Sequence, residues 1–390
     1  MDQGLRQFKR MYFFFYFTVA IFWAFIVPYL NSLKISNTQI GMIISLMIFS
    51  GVIGQFFTGY LCDVKGTIKN IFILWMILLC ISVVLFFQSQ NMLYMIMLIS
   101  IIGFFQSSVM ALSDSWVLES SAQTKSNFGA VRALGSAGWG ISAVVVGKII
   151  DQTGWHMIYI LYIVFAVLLY LMVRKMQDGK QVENTSPDPV RLQDIKVLFS
   201  NKQYVQLLLI YFLLFASLQV INMFAPIIIN SYGGTKFHVG LYLFVAAASE
   251  IPILFYARLL MNKFRLSHLL IFAAFALTIR MILIAYNKTI FTLILSGALQ
   301  IVTFSIIVFT SKYLIDEVTP PNLKTTSQMV AMGIYSGLGG IFATILSGWL
   351  ADSIGIKNML LAQGGLCLIA LLFSVIYHFL YCSKMKMRYS

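Results

Sequence analysis

Long apolar stretches alternate with short polar interruptions along the whole chain, and the stretches are uniform in length. Twelve of them reach roughly twenty residues or more, at 11–31, 39–62, 68–88, 91–119, 130–151, 155–174, 203–230, 237–259, 267–287, 290–313, 325–350 and 356–382. Such a length is what a bilayer requires. Lipid offers the backbone no hydrogen-bond partner, so a helix must close its own bonds, and about 30 Å of hydrocarbon takes roughly 20 residues to cross. The pattern predicts an all-α integral membrane protein with twelve transmembrane helices. The first run follows Arg6, Lys9 and Arg10 but is too long for a signal peptide and lacks a small-residue cleavage site, so it is expected to be retained.

The polar interruptions are themselves patterned. The longest, 175–202, contains "DGKQVENTSPDPVRLQD" and separates six runs from six, which makes it a linker between an N-terminal bundle (1–174) and a C-terminal bundle (203–390). Offsets near 200 residues relate the halves: Pro28 to Pro226, Gly41 to Gly240, Gly147 to Gly348. A shorter signature recurs within them, as "GYLCDVKG" at 59–66, "GKIIDQTG" at 147–154 and "GWLADSIG" at 348–355, with a decayed copy "ARLLMNKF" from Ala257. Two pseudo-symmetric six-helix bundles, each of two three-helix units, follow from this arithmetic, and halves so related can rock about a central site. In the signature, glycine permits close helix approach and a tight turn. Asp63 is placed to accept hydrogen bonds from a neighbouring helix N-terminus.

Composition agrees with a membrane location: 60% of the 390 residues are hydrophobic and 10% charged. The net charge of +14 would suggest a polyanionic partner if it were spread evenly. It is not. With the N-terminus in the cytoplasm, inward segments hold twenty Lys and Arg against five in outward segments. The positive-inside rule then places both termini in the cytoplasm and accounts for the basicity without nucleic acid. Cys62, Cys80, Cys367 and Cys382 show no C-x-x-C spacing, and His156, His238 and His268 are scattered near run ends, so neither a disulfide nor a metal is indicated. There is no nucleophile with its base and no phosphate loop, which argues against an enzyme.

The stretch "GYLCDVKGTIK" resembles the cytoplasmic loop motif of the major facilitator superfamily, and the twelve-helix, two-half layout extends that resemblance over the whole chain. Val64 departs from it, although Lys65 and Lys69 keep charge nearby. The resemblance implies a conformational latch of Gly59, Asp63, Lys65 and Gly66, closing against the start of the eleventh run near Thr325. A solvated topogenic loop is the alternative reading.

Of the charges within the runs four stand out away from the run ends, where they are costly and therefore mark function by default: Asp114, Arg132, Glu250 and Arg280. Each half holds one acid and one arginine. They either neutralise one another and lock neighbouring helices, or serve transport. In the second case the rigid donor fork of Arg132, with Asp114, holds polar groups of a solute, and a desolvated Glu250 carries a proton tuned by Arg280.

Around these charges the sequence is similar to the lactose permease, nucleoside symporter and phenylpropionate permease group. The segment "SNFGAVRALGSAGW", with Asp114 eighteen residues before Arg132, carries the first likeness, "LQVINMF" at 218–224 the second, and the Gly240 to Glu250 spacing the third. The resemblance implies substrate contacts from Asp114, Arg132, Trp139, Trp23, Gln219, Asn222 and Gln300, with Trp139 as an aromatic platform, and proton coupling by Glu250 and Arg280. Gln300 and Thr303 stand where lactose permease has its coupling pair, and Ser336 near its lysine, so that relay does not carry over. Gln55, Gln106, Tyr335 and Trp116 are further expected cavity residues. The expectation is a monomeric plasma-membrane permease that moves a sugar, nucleoside or aromatic acid with a proton by alternating access, using the proton gradient and no cofactor. Its alternative is a proton-coupled drug or metabolite efflux antiporter, and a non-transporting membrane sensor is a third class.

Overall fold

The computed structural model describes residues 3–179, 192–320 and 323–382, with backbone alone at 3, 192–195, 254–259, 261, 262, 325 and 382. Among the described residues, ten helices are long and apolar enough to cross a bilayer: α1 (Gly4–Ser32), α2 (Asn37–Lys65), α3 (Lys69–Phe86), α4 (Met92–Leu118), α5 (Phe128–Thr153), α7 (Lys202–Ser231), α9 (Leu266–Ala285), α10 (Ile290–Val318), α11 (Thr326–Ile354) and α12 (Ile356–Tyr381). The shorter apolar helix α6 (Met157–Val173) and the 28-residue α8 (Lys236–Lys263) complete the up-and-down series. The first helical piece begins at Gln3, well before the expected 11, because Leu5 and Phe8 are buried in the core of the first six helices.

Helix ends follow local chemistry. Ser36 and Gln39 form a capping box at the start of α2, and the Asn91 side chain accepts from the backbone of Leu93 and Tyr94 at the start of α4. The last glycine of each signature copy has positive φ: Gly66 (66°), Gly154 (97°) and Gly355 (82°). This left-handed region is costly for other residues, which is why glycine ends all three helices there.

Three crossings are irregular. α1 is made of Gln3–Trp23 and Ile26–Ser32. α10 runs as α-helix to Ser296, as 3-10 helix over Gly297–Ile301, and resumes at Phe304. α11 carries a π-helical segment at Gly333–Leu338. Breaks at membrane depth free backbone and re-aim side chains, and they gather where a cavity is lined.

The halves meet through two large crossings, α5 on α8 and α2 on α11. Both are tightest at the end of the bundle opposite the chain termini, here called the far end. A Cβ on Gly41 would strike the Thr344 carbonyl, and one on Gly240 the Ala143 carbonyl. The signature glycines Gly147 and Gly348 are likewise pressed against the carbonyls of Lys236 and Asn37.

Two aspartates of the signature hold this end. Asp352 accepts from Asn37 N (3.2 Å) and Nδ2 (2.8 Å) and from Thr38 N (2.7 Å) and Oγ1 (2.6 Å), at the N-terminus of α2. Asp151 accepts from Lys236 N (3.0 Å) and Phe237 N (2.9 Å) at the N-terminus of α8, with Lys236 Nζ at 3.8 Å. Each carboxylate thus satisfies free amide donors of a helix in the other half.

The terminal end differs. Gly59 and Gly333 have no atom of another element within 4 Å of where a Cβ would stand. Asp63 is exposed, and no described residue reaches it with a hydrogen bond or ion pair; the side chain of Thr325 lies outside the described residues. The N-terminus of α3 is instead capped by Asp178, which accepts from Ile68 N (3.1 Å), Lys69 N (2.9 Å) and the Thr67 hydroxyl. The start of the expected linker is therefore docked on the first bundle, while 180–191 lies outside the described residues. Partial burial, Asp63 and Asp178 together push the Glu119 carboxyl up from its ordinary range.

Candidate functional site

The intramembrane charges sit in two networks, one per half. In the first, Tyr12 OH donates to Asp114 Oδ1 (2.7 Å), and the Arg132 guanidinium lies 4.5 Å from the centroid of the Tyr16 ring. Tyr12 and Tyr16 are one helical turn apart, so one face of α1 serves α4 and α5 at once. The glycines of "GAVRALGSAGWG" explain the fit: a Cβ on Gly135 would stand 2.8 Å from the Tyr16 ring, and one on Gly138 would strike the Phe13 carbonyl. Ser142 Oγ, farther along, donates to Phe17 O (2.8 Å). Asp114 and Arg132 are both half-buried and make no direct ion pair; Asp114 is held by Tyr12 and Arg132 lies against Tyr16, one turn on.

In the second half Arg280 is fully buried. Its Nη1 donates to Gln300 Oε1 (2.7 Å) and Thr303 Oγ1 (3.0 Å), and its Nη2 to Tyr242 OH (3.1 Å). Gln300 Nε2 in turn donates to Glu250 Oε1 (3.1 Å). The break in α10 makes this possible, because Gln300 sits in the 3-10 stretch and Thr303 just beyond it. Glu250 is half-buried and lies within electrostatic reach of both Arg280 and, across the interface, Arg132. No carboxylate in either network touches a guanidinium directly. A buried ion pair would lock its partners, whereas groups joined through neutral hydroxyls and an amide keep their capacity to exchange partners.

The other expected residues divide. Asn222 is exposed on α7 between buried neighbours, and Gln219, one turn earlier, is half-buried, so both border open space at mid-helix. Trp139 and Trp23 are half-buried and pack on the cluster that holds Tyr12 and Tyr16. Gln300 does not face open space as the sequence suggests; it is 8% exposed and committed at both ends of its amide to protein partners. Trp116 is not a cavity residue either: it is wholly buried near the terminal end, edge-on to Phe8 and donating to Gln177 O (3.2 Å). Gln106 is buried with its Oε1 unpartnered, Gln55 is exposed, and Tyr335 stacks on Phe215 with centroids 4.3 Å apart inside the π segment. Tyr12, Tyr16 and Tyr242 have no counterpart among the sequence expectations. An i, i+4 tyrosine pair in the otherwise phenylalanine-rich "YFFFYF" is the available signal for the first two.

Residues 5–362 match the model of the family described as "MFS_1 like family". The chain is 23% identical to a maltose permease of Geobacillus stearothermophilus over 346 residues, covering 88% of this chain and 87% of that protein. It is also 23% identical over 331 residues to the uncharacterized transporter YwbF of Bacillus subtilis, covering 85% of this chain and 82% of YwbF. Among solved structures, the nucleoside transporter NupG superposes with a TM-score of 0.84 at 17% identity, covering 97% of this chain and 100% of that one. A D-xylose-proton symporter superposes at 0.73 with 15% identity, covering 95% and 96%. At these identities the structural likeness shows the fold.

Proposed function

Because the chain belongs to the MFS_1 like family, and so is a multi-pass secondary transporter of small solutes and not an enzyme, we propose that it carries a small polar organic solute, a sugar, nucleoside or aromatic acid, together with a proton. The observation that carries this reading is the pair of acid and arginine networks inside the spanning helices, joined through tyrosines and an amide and not through ion pairs. The names of the relatives, a maltose permease, a nucleoside transporter and a D-xylose-proton symporter, support the solute class.

In this reading Asp114 and Arg132 hold solute hydroxyls or carboxylate, Trp139 and Trp23 supply an apolar face, and Asn222 and Gln219 complete the polar contacts from the other half. Glu250 carries the proton. The halves, 1–174 and 203–390, rock about the site, tethered by 175–202, in a monomer of the plasma membrane whose termini are cytoplasmic. The far end is then outside, and Asp151 with Asp352 closes it while the cavity faces the cytoplasm. When the halves rock the other way these caps release, and Asp63 takes the equivalent place inside.

The test uses purified protein in vesicles with a pH-sensitive dye outside, screened with sugars, nucleosides and aromatic acids. External alkalinisation with one solute class, lost in Glu250→Gln, is the expected outcome. Proton release on addition of lipophilic drugs would overturn symport and favour the efflux antiporter.

A further inference from the structure

Gln300 is the one side chain that touches both Glu250 and Arg280 among the described residues. An arginine has only donors, so it fixes the amide: the Gln300 carbonyl faces Arg280 and the amino group faces Glu250. Presented with a donor, Glu250 must accept. A carboxylate accepts with either oxygen, whereas a carboxylic acid accepts with one and needs an acceptor for its own proton, which the amide in this orientation cannot provide. Resting on the reading of Glu250 as the proton site, we propose that Gln300 is a positioning residue that relays the charge of Arg280 to Glu250 and so sets the pH at which Glu250 gives up its proton.

The neighbourhood supports a relay and not a direct pair. The charged groups bearing on Glu250 are Arg132 on α5 and Arg280 on α9. On its own helix the titratable neighbour is Tyr242, whose hydroxyl is held by Arg280 Nη2 at 3.1 Å. On α10, Lys312, Asp316 and Glu317 lie in the terminal-end turns, and on α5, Lys148 and Asp151 lie at the far end. The spanning part of α7 has no charged residue beyond Lys202 at its start. Arg280 is held by Gln300, Thr303 and Tyr242 and is wholly buried, so in this structure its link to the acid runs through Gln300 and not through a direct contact. Gln300 is itself fixed by the 3-10 break of α10, which lets Thr303, three residues on, grip the same guanidinium nitrogen. A direct Arg280–Glu250 contact would hold the carboxylate too firmly to reload, and an arginine with no bridge would leave the acid protonated through the cycle.

Infrared titration of the purified protein without solute tests the relay, following the protonated-carboxyl band that Glu250→Gln removes. A hydrogen bond to a charged group contributes about 1.5–3 kcal/mol, equivalent to roughly one to two pH units. Gln300→Met keeps the volume and removes both bonds, so the midpoint of the band should move up by about that much. Gln300→Leu, close in size and likewise without an amide, should move the midpoint up by the same amount, which a role in packing alone would not do. It also serves if Gln300→Met fails to fold. A midpoint unchanged in a folded Gln300 variant, with the band still removable by Glu250→Gln, overturns the relay and leaves Glu250 as the proton site. A band untouched by Glu250→Gln overturns the proton-site reading, and the relay falls with it.

Discussion

One sequence signature behaves in opposite ways at the two ends of the bundle. At the far end Asp151 and Asp352 cap helices of the opposing half, and Gly147 and Gly348 are pressed against carbonyls. At the terminal end Asp63 is exposed and Gly59 faces open space. The chemistry is the same in all three copies, down to the closing glycine with positive φ. What differs is whether a helix N-terminus from the other half stands opposite. Under the rocking proposed above, the signature is a reversible latch, and among the described residues it is closed at the far end.

The glycines should give the largest effects. Gly240→Leu would drive a side chain into the Ala143 carbonyl, which no rotamer avoids, and overpacking of this kind costs about 1–3 kcal/mol. The population closed at the far end should fall by roughly 5- to 150-fold, read by spin-label distances across that end, while Gly59→Leu, with open space around it in this state, should leave that population near wild type. Equal losses would erase the difference between the ends.

Next comes Asp352→Asn, which weakens four hydrogen bonds and removes a charge from a helix N-terminus. The site is solvent-exposed, so about 1 kcal/mol is expected, roughly a fivefold shift toward structures open at the far end. Spin labels placed on either side of that end would read it as a longer distance population. Asp151→Asn, with two backbone bonds at stake, should shift the same population about half as much in free energy. A larger effect at Asp151 than at Asp352 would contradict the counting of caps.

The smallest effect belongs to the terminal end. Asp63→Asn should leave the far-end distances unchanged, because Asp63 has no described partner to lose. It should lower the titration midpoint of Glu119, whose carboxyl is raised by partial burial, Asp63 and Asp178. The sign follows from linkage: an acid raised in the folded state binds its proton more tightly there. The strain is therefore present above the folded midpoint and is relieved as pH falls through it. Acidification should stabilise the wild type across that window, and less so Asp63→Asn, as read by thermal unfolding.

Much of this fold is legible in the sequence. The crossings and the signature copies need only run lengths and offsets. The acids and arginines stand out because charge is conspicuous among apolar residues. Less visible is what joins them. Tyr12 and Tyr16 are two aromatics in an aromatic-rich run, and Tyr242 is one of nineteen tyrosines. Gln300 stands out as a polar residue in an apolar run but reads as solute-facing, and nothing along the chain announces the 3-10 break that turns it toward Arg280. The early start of α1 is hidden because Gln3, Arg6, Lys9 and Arg10 dilute its hydropathy while Leu5 and Phe8 still face the core.

The sequence by itself determined how often the chain crosses the bilayer, that it does so as two related halves, and which charges lie at membrane depth. Helix hydrogen bonds are local and lipid forces them, so length and composition suffice. The tertiary structure alone decided which helix faces meet, which latch is closed, and that Glu250 on α8, Gln300 on α10 and Arg280 on α9 form one chain. In a soluble helix an apolar stripe marks the buried face. Here the lipid side and the protein side are equally apolar, so rotation and tilt leave little trace in the sequence and are fixed only when small residues and buried polar groups find their partners.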